Sequence, residues 1–174
     1  EYQASSLEFL NAFLNGMAYL CILEILKQGG QGKMSEEDYG SLDQEISKNF
    51  FIARDILKSN SSLKKIFSYL SEDIAAKYYD HGISVLVRMA KVFEGKHNEA
   101  KSKGYNGIQL AYLKEAQNLL NYASKESFAD QKVIQNKYSY IQKLIDEATL
   151  MNNEVFNAAI PPRDQLTHIK PIEQ

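Results

Sequence analysis

Three histidines, a single cysteine and a short acidic run are the side chains in this chain best suited to chemistry, so their spacing comes first. His81, His97 and His168 stand far apart in three different contexts, and His81 has no second ligand one helical turn away. Zinc sites need close ligand pairs such as two histidines at i and i+4, and no such pair exists here. Cys21 lies on an apolar stripe without a local base, the setting of a buried, inert thiol rather than a nucleophile. No serine occupies the sharp strand-to-helix turn that exposes a hydrolase nucleophile. Gly29-Gly30-Gln31-Gly32 has the composition of a phosphate loop, but it follows a helical pattern and lacks the lysine-hydroxyl ending. Glu36, Glu37 and Asp38 could be metal ligands. Directly after Ser35, they read instead as first-turn charge at the positive end of a helix dipole. No catalytic residue, metal ligand set or cofactor is expected.

Positioning these groups falls to a chain of 174 residues, 44% of them hydrophobic, enough to fill a core of single-domain size. Twenty basic and 22 acidic side chains are mixed along it, for a net charge of −2. Such a balance gives no field to hold nucleic acid. One cysteine cannot close an intramolecular disulfide and suits a reducing compartment. The most apolar stretch, residues 7–26, is interrupted by Glu8, Asn11, Asn15 and Glu24, so no bilayer-spanning helix is expected. There is no secretory leader pattern, and Glu1 opens the chain as though mid-protein.

Hydrophobic periodicity then places the elements. Residues 3–28 read as one helix, with Leu7, Leu10, Leu14, Met17 and Cys21 stepping by three and four while Phe9, Phe13, Leu20 and Ile22 widen the apolar surface. A helix so apolar is expected to be central, with neighbours on more than one side. The glycine cluster ends it. Ser35 starts a second helix that carries Leu42, Ile46, Phe50, Ala53 and Leu57 on one face. Asn60-Ser61-Ser62 breaks that helix, and Leu63, Ile66, Phe67 and Leu70 form a short amphipathic piece. Ser71-Glu72-Asp73 opens the next helix, in which Ala75, Tyr78, Gly82, Val85, Met89 and Val92 form a narrow seam suited to one partner helix. Residues 94–106 read as a polar loop. Residues 107–123 are helical again, and a longer helix follows with Ile134, Tyr138, Ile141, Ile145 and Ala148 inward. No stretch alternates like a strand. The expected class is all-α, one helical unit over residues 1–174, with antiparallel helices stacked as a solenoid-like, TPR-like array.

The end of the chain is the most pointed feature. Pro161, Pro162 and Pro171 forbid helix, yet Val155, Phe156, Ile160, Leu166, Ile169 and Ile172 recur among them. Disordered tails are poorer in large apolar residues, so this one is expected to lie ordered across the helices.

Three stretches together resemble the C-terminal half of a BRO domain, the helical module of Alix-type endosomal sorting adaptors. The tail offers Asn152, the pair Val155-Phe156, Ile160-Pro161, then Leu166 and Ile169. Gly107, Leu110-Ala111, Leu113 and Ala116 are similar to the family's Gly-x-x-Ile-Ala-x-Leu-x-x-Ala helix opening. Ile46-Ser47-Lys48 with Ala53 and Asp55 forms the third. The resemblance implies a cytoplasmic, non-catalytic adaptor whose upstream half lies before Glu1 and which reaches endosomes through protein partners. It also implies a hydrophobic groove for the C-terminal amphipathic helix of an ESCRT-III subunit, a charged multivesicular body protein. Carried over by position, the groove's aromatic falls at Cys21, and its aliphatic residues fall near Glu45 and Asn49 or, one residue along, at Ile46 and Phe50. A last groove residue falls at Ile172. Two other roles remain open, a BRO-type scaffold in pH-response or small-GTPase signalling and an all-α enzyme or ligand carrier.

Overall fold

A computed structural model describes residues 2–29, 34–96 and 104–166. Among the described residues every regular element is helical: α1 (Tyr2–Gln28), α2 (Glu36–Ser59), α3 (Ser61–Ile66), α4 (Ser71–Gly95), α5 (Tyr105–Ala123) and α6 (Gln131–Met151). Short 3-10 turns at Ser68–Leu70 and Arg163–Gln165 and a π-helical turn at Asn152–Phe156 complete the order. The all-α class holds. The chain divides into two compact units, Glu1–Gly82 and Ile83–Gln174, and the single helix α4 runs from one into the other.

Local chemistry sets the boundaries. The Ser35 hydroxyl accepts from the Asp38 amide at 3.0 Å while the Asp38 carboxylate faces the Ser35 amide, a capping box that starts α2. Asn60 serves two helices. Its amide donates to the Ile56 carbonyl at 3.0 Å, closing α2, and its side chain accepts from Leu63 N at 3.0 Å, opening α3. Asp130, which sequence reasoning passed over, caps α6 through the amides of Lys132 and Val133 at 2.9 and 3.2 Å.

In the first unit α1 packs on α2. A Cβ built on Gly16 would lie 3.1 Å from the Phe50 ring, and the Phe9 and Phe67 centroids lie 4.7 Å apart. The chain after α2 therefore returns toward the start of α1. On these two helices Phe9, Leu23, Ile46, Phe50 and Ala53 are wholly buried. On its other side α2 meets the first part of α4: Ser47 Oγ donates to the Tyr78 carbonyl at 3.0 Å, and Phe51 packs on Tyr78.

The second unit is built around α5 and α6, with Phe93 of α4 against Tyr105 and Tyr112. Buried positions on α4 include Ile74, Tyr79, Ile83, Leu86, Ala90 and Phe93 beside the expected seam. The narrow seam is corrected to a broad apolar surface, because α4 belongs to two cores in succession. The expected loop at residues 94–106 is shorter at both ends, since α4 runs through Gly95 and α5 begins at Tyr105. Residues 97–103 lie outside those described.

Candidate functional site

α1 carries two apolar stripes, and only one is covered. Phe9, Ala12, Gly16 and Leu23 are buried, the side that α2 occupies. The stripe expected to face the interior lies open: Leu7 is 69% exposed, Leu10 39% and Leu14 61%, and Ile25, outside that expectation, is 66% exposed as well. Cys21 is exposed on the same stripe and Met17 is half-buried. The expectation of a central helix with several neighbours is therefore corrected. One face has a partner and the other faces outward. By length and composition alone, α1 from Gln3 to Gln28 also suffices to cross a membrane, contrary to expectation, although a buried core helix can satisfy the same criterion.

The candidate partner-binding residues scatter. Cys21 is at the surface. Asn49 is half-buried and turns back on its own helix, its side-chain amide donating to the Glu45 carbonyl at 2.8 Å. Ile46 and Phe50 are 0% exposed, Phe50 against Gly16 and Phe13 of α1, and present no surface to an incoming helix. Their spacing was right for an apolar face; it was the inner one. Ile172 and Ile169 lie outside the described residues, as do His97 and His168.

His81 has a partner that no local spacing could reveal. Its Nδ1 sits 2.6 Å from Oδ1 of Asp43, 38 residues earlier, and the Asp43 carboxylate is almost wholly enclosed. A buried carboxylate is retained only where charge and hydrogen bonding compensate for lost water, so the pair ties α2 to α4. Among the described residues no three His, Cys, Asp or Glu side chains gather to hold a metal ion.

The two motif stretches nearest the C-terminus meet. Asn152 grips the chain ahead of it, accepting from Ala158 N at 2.8 Å through Oδ1 and donating from Nδ2 to the Ala158 carbonyl at 3.0 Å. Asn157 between them takes a left-handed conformation, φ 48°, which asparagine tolerates better than most residues. This turn lays Ala159 directly on α5, where a Cβ on Gly107 would fall 2.0 Å from the Ala159 carbonyl oxygen. Leu166 is buried, and Arg163 pairs with Glu115 at 3.4 Å. Between α5 and the prolines remains a cleft of about 210 Å³, lined by Ala111, Lys114, Asn118, Ile160 and Pro161 among others. Val155 is 63% exposed, so it anchors nothing, and Phe156 is half-buried.

No protein-family model matches this chain, and neither a curated protein nor a solved structure matches it.

Proposed function

We propose that this chain is a non-catalytic adaptor module that captures an amphipathic helix, and that its resemblance to BRO domains makes the partner the C-terminal helix of an ESCRT-III subunit in endosomal sorting. The observation that supports this reading is the open stripe of α1. Large side chains at Leu7, Leu10, Leu14 and Ile25 face water along a rigid helix already backed by α2. Burying one Leu or Ile side chain is worth about 1.5–3 kcal/mol, so a partner helix has much to gain here. The capture surface moves from Ile46 and Phe50, which are sealed, to this outer face.

On this reading the helices stack as a solenoid-like array and the tail continues along them past Leu166 to Ile172. The protein is cytoplasmic and reaches endosomes through its partners, without binding nucleic acid. The test is calorimetry of ESCRT-III C-terminal peptides against the chain and against Leu14→Glu. Binding that Leu14→Glu removes is expected. Absence of binding by the folded chain, or binding that Leu14→Glu leaves intact, overturns the reading.

A further inference from the structure

The cleft beside the two prolines belongs to the second unit, a different one from α1, and it combines apolar walls with a charge that nothing offsets. Ala111, Lys114, Glu115 and Asn118 follow one another three or four residues apart, so they share one face of α5 and form one wall. The segment from Ile160 to Leu166 supplies the other. Glu115 is already satisfied: one carboxylate oxygen accepts from Asn118 Nδ2 at 3.3 Å, and the other meets Arg163 Nε at 3.4 Å. Lys114 has neither a hydrogen bond nor an ion pair among the described residues. Two cations and one carboxylate therefore leave the cleft a single positive charge, carried by Lys114. Arg163 adds to it, because a guanidinium has further N–H donors besides the one turned to Glu115.

We infer that this cleft binds a short aliphatic monocarboxylate, with its hydrocarbon chain against Ile160 and Pro161 and its carboxylate at Lys114. Charge selects a monoanion, since a phosphate dianion would also meet the Glu115 carboxylate. Size selects a small ligand, since about 210 Å³ falls below the roughly 300–1,000 Å³ of sites for drug-sized molecules. Hydrogen bonding selects against a polypeptide. Pro161 and Pro162 have no N–H to offer a main chain, and the amides along this face of α5 are spent within the helix. An acid whose only polar group is its carboxylate leaves nothing unpaired.

The probes are butyrate, hexanoate, hexylammonium, inorganic phosphate and a short peptide ending in leucine, each titrated into the isotope-labelled chain and followed by its amide NMR shifts. Hexanoate should saturate with a Kd of about 1 mM, moving the amides of α5 and of the segment after Ala159 but not those of α1. Butyrate, two methylenes shorter, should bind about tenfold more weakly. Lys114 is exposed, so Lys114→Gln should keep the parent's thermal midpoint while weakening hexanoate about tenfold. Hexylammonium and phosphate should give no saturable change. No saturation by hexanoate, equal affinity in Lys114→Gln, or binding by phosphate as tight as by hexanoate overturns the inference. So do shifts that map to the open stripe of α1, which would mark indiscriminate apolar contact. A peptide that binds tighter than hexanoate overturns it too, and assigns the cleft to the last residue of another chain. None of these outcomes bears on helix capture by α1.

Discussion

α1 and α5 are both apolar helices, and the two are buried very differently. α5 encloses five consecutive positions, Gln109 to Leu113, which turn through the whole helix circumference, so it has neighbours nearly all round. α1 never buries two residues in succession. The difference lies in what the rest of the chain supplies. Around α5 come α6, the π-helical turn and the segment from Ala159 to Leu166. Around α1 the principal neighbour is α2. Apolar content therefore measures how much burial a helix can use, and not how much its own chain provides.

The sharpest way to test that contrast is Phe50→Ala. Phe50 is wholly buried against Gly16 and Phe13, so the truncation should destabilise the first unit by about 3–5 kcal/mol, read as a lowered thermal midpoint. A variant that melts like the parent but loses partner binding would return Phe50 to the groove and close the covered side of α1. In the second unit, Gly107→Ala forces a methyl onto the Ala159 carbonyl, a backbone group that cannot swing aside. Overpacking of this kind costs about 1–3 kcal/mol or more, outweighing the roughly 1 kcal/mol of helix propensity that alanine contributes. A stabilised Gly107→Ala would mean that the segment after Asn157 does not lie on α5.

Much of the chain's punctuation was legible because it is local. Ser35 three residues before Asp38, the break at Asn60, and glycine and proline after helices each act within one turn. The tail's relation to α5 could not be derived from spacing, although Gly107 and the Asn152-to-Pro161 stretch were both singled out by resemblance. Three features were hidden for physical reasons. Asp43 and His81 lie far apart in the chain, and no local pattern pairs them. Gly16, on a helix full of larger apolar residues, is the notch that admits the Phe50 ring. The choice between the two stripes of α1 was hidden as well, since both have helical spacing and which one is covered depends on the shape of α2. Ile46 and Phe50 are enclosed through the same ambiguity, because an apolar residue at helical spacing marks a contact without naming the partner.

Asn152→Ala tests the turn rather than the packing. It removes an acceptor and a donor from the Ala158 backbone, leaving partly buried groups unpaired at about 1–3 kcal/mol. Hydrogen exchange should quicken at Ala158 and through the following residues while α2 keeps its protection. Unchanged exchange there would show that Gly107 and Leu166 hold the segment without the clamp.

The smallest effect belongs to the open face. Leu14 is 61% exposed, so Leu14→Gln exchanges one solvated side chain for another on a helix whose packing lies elsewhere. Leucine and glutamine have similar helix propensities, and surface changes of this kind usually stay within about 0.5 kcal/mol. The parent and Leu14→Gln should therefore share a denaturation midpoint, with equal slopes against urea showing that no extra surface is uncovered. The same substitution at the buried Leu23 serves as the contrast and should lower the midpoint markedly, since it places an amide where there is no water. If Leu14→Gln costs as much as Leu23→Gln, the outer stripe of α1 is covered in the folded chain, and its difference from α5 disappears.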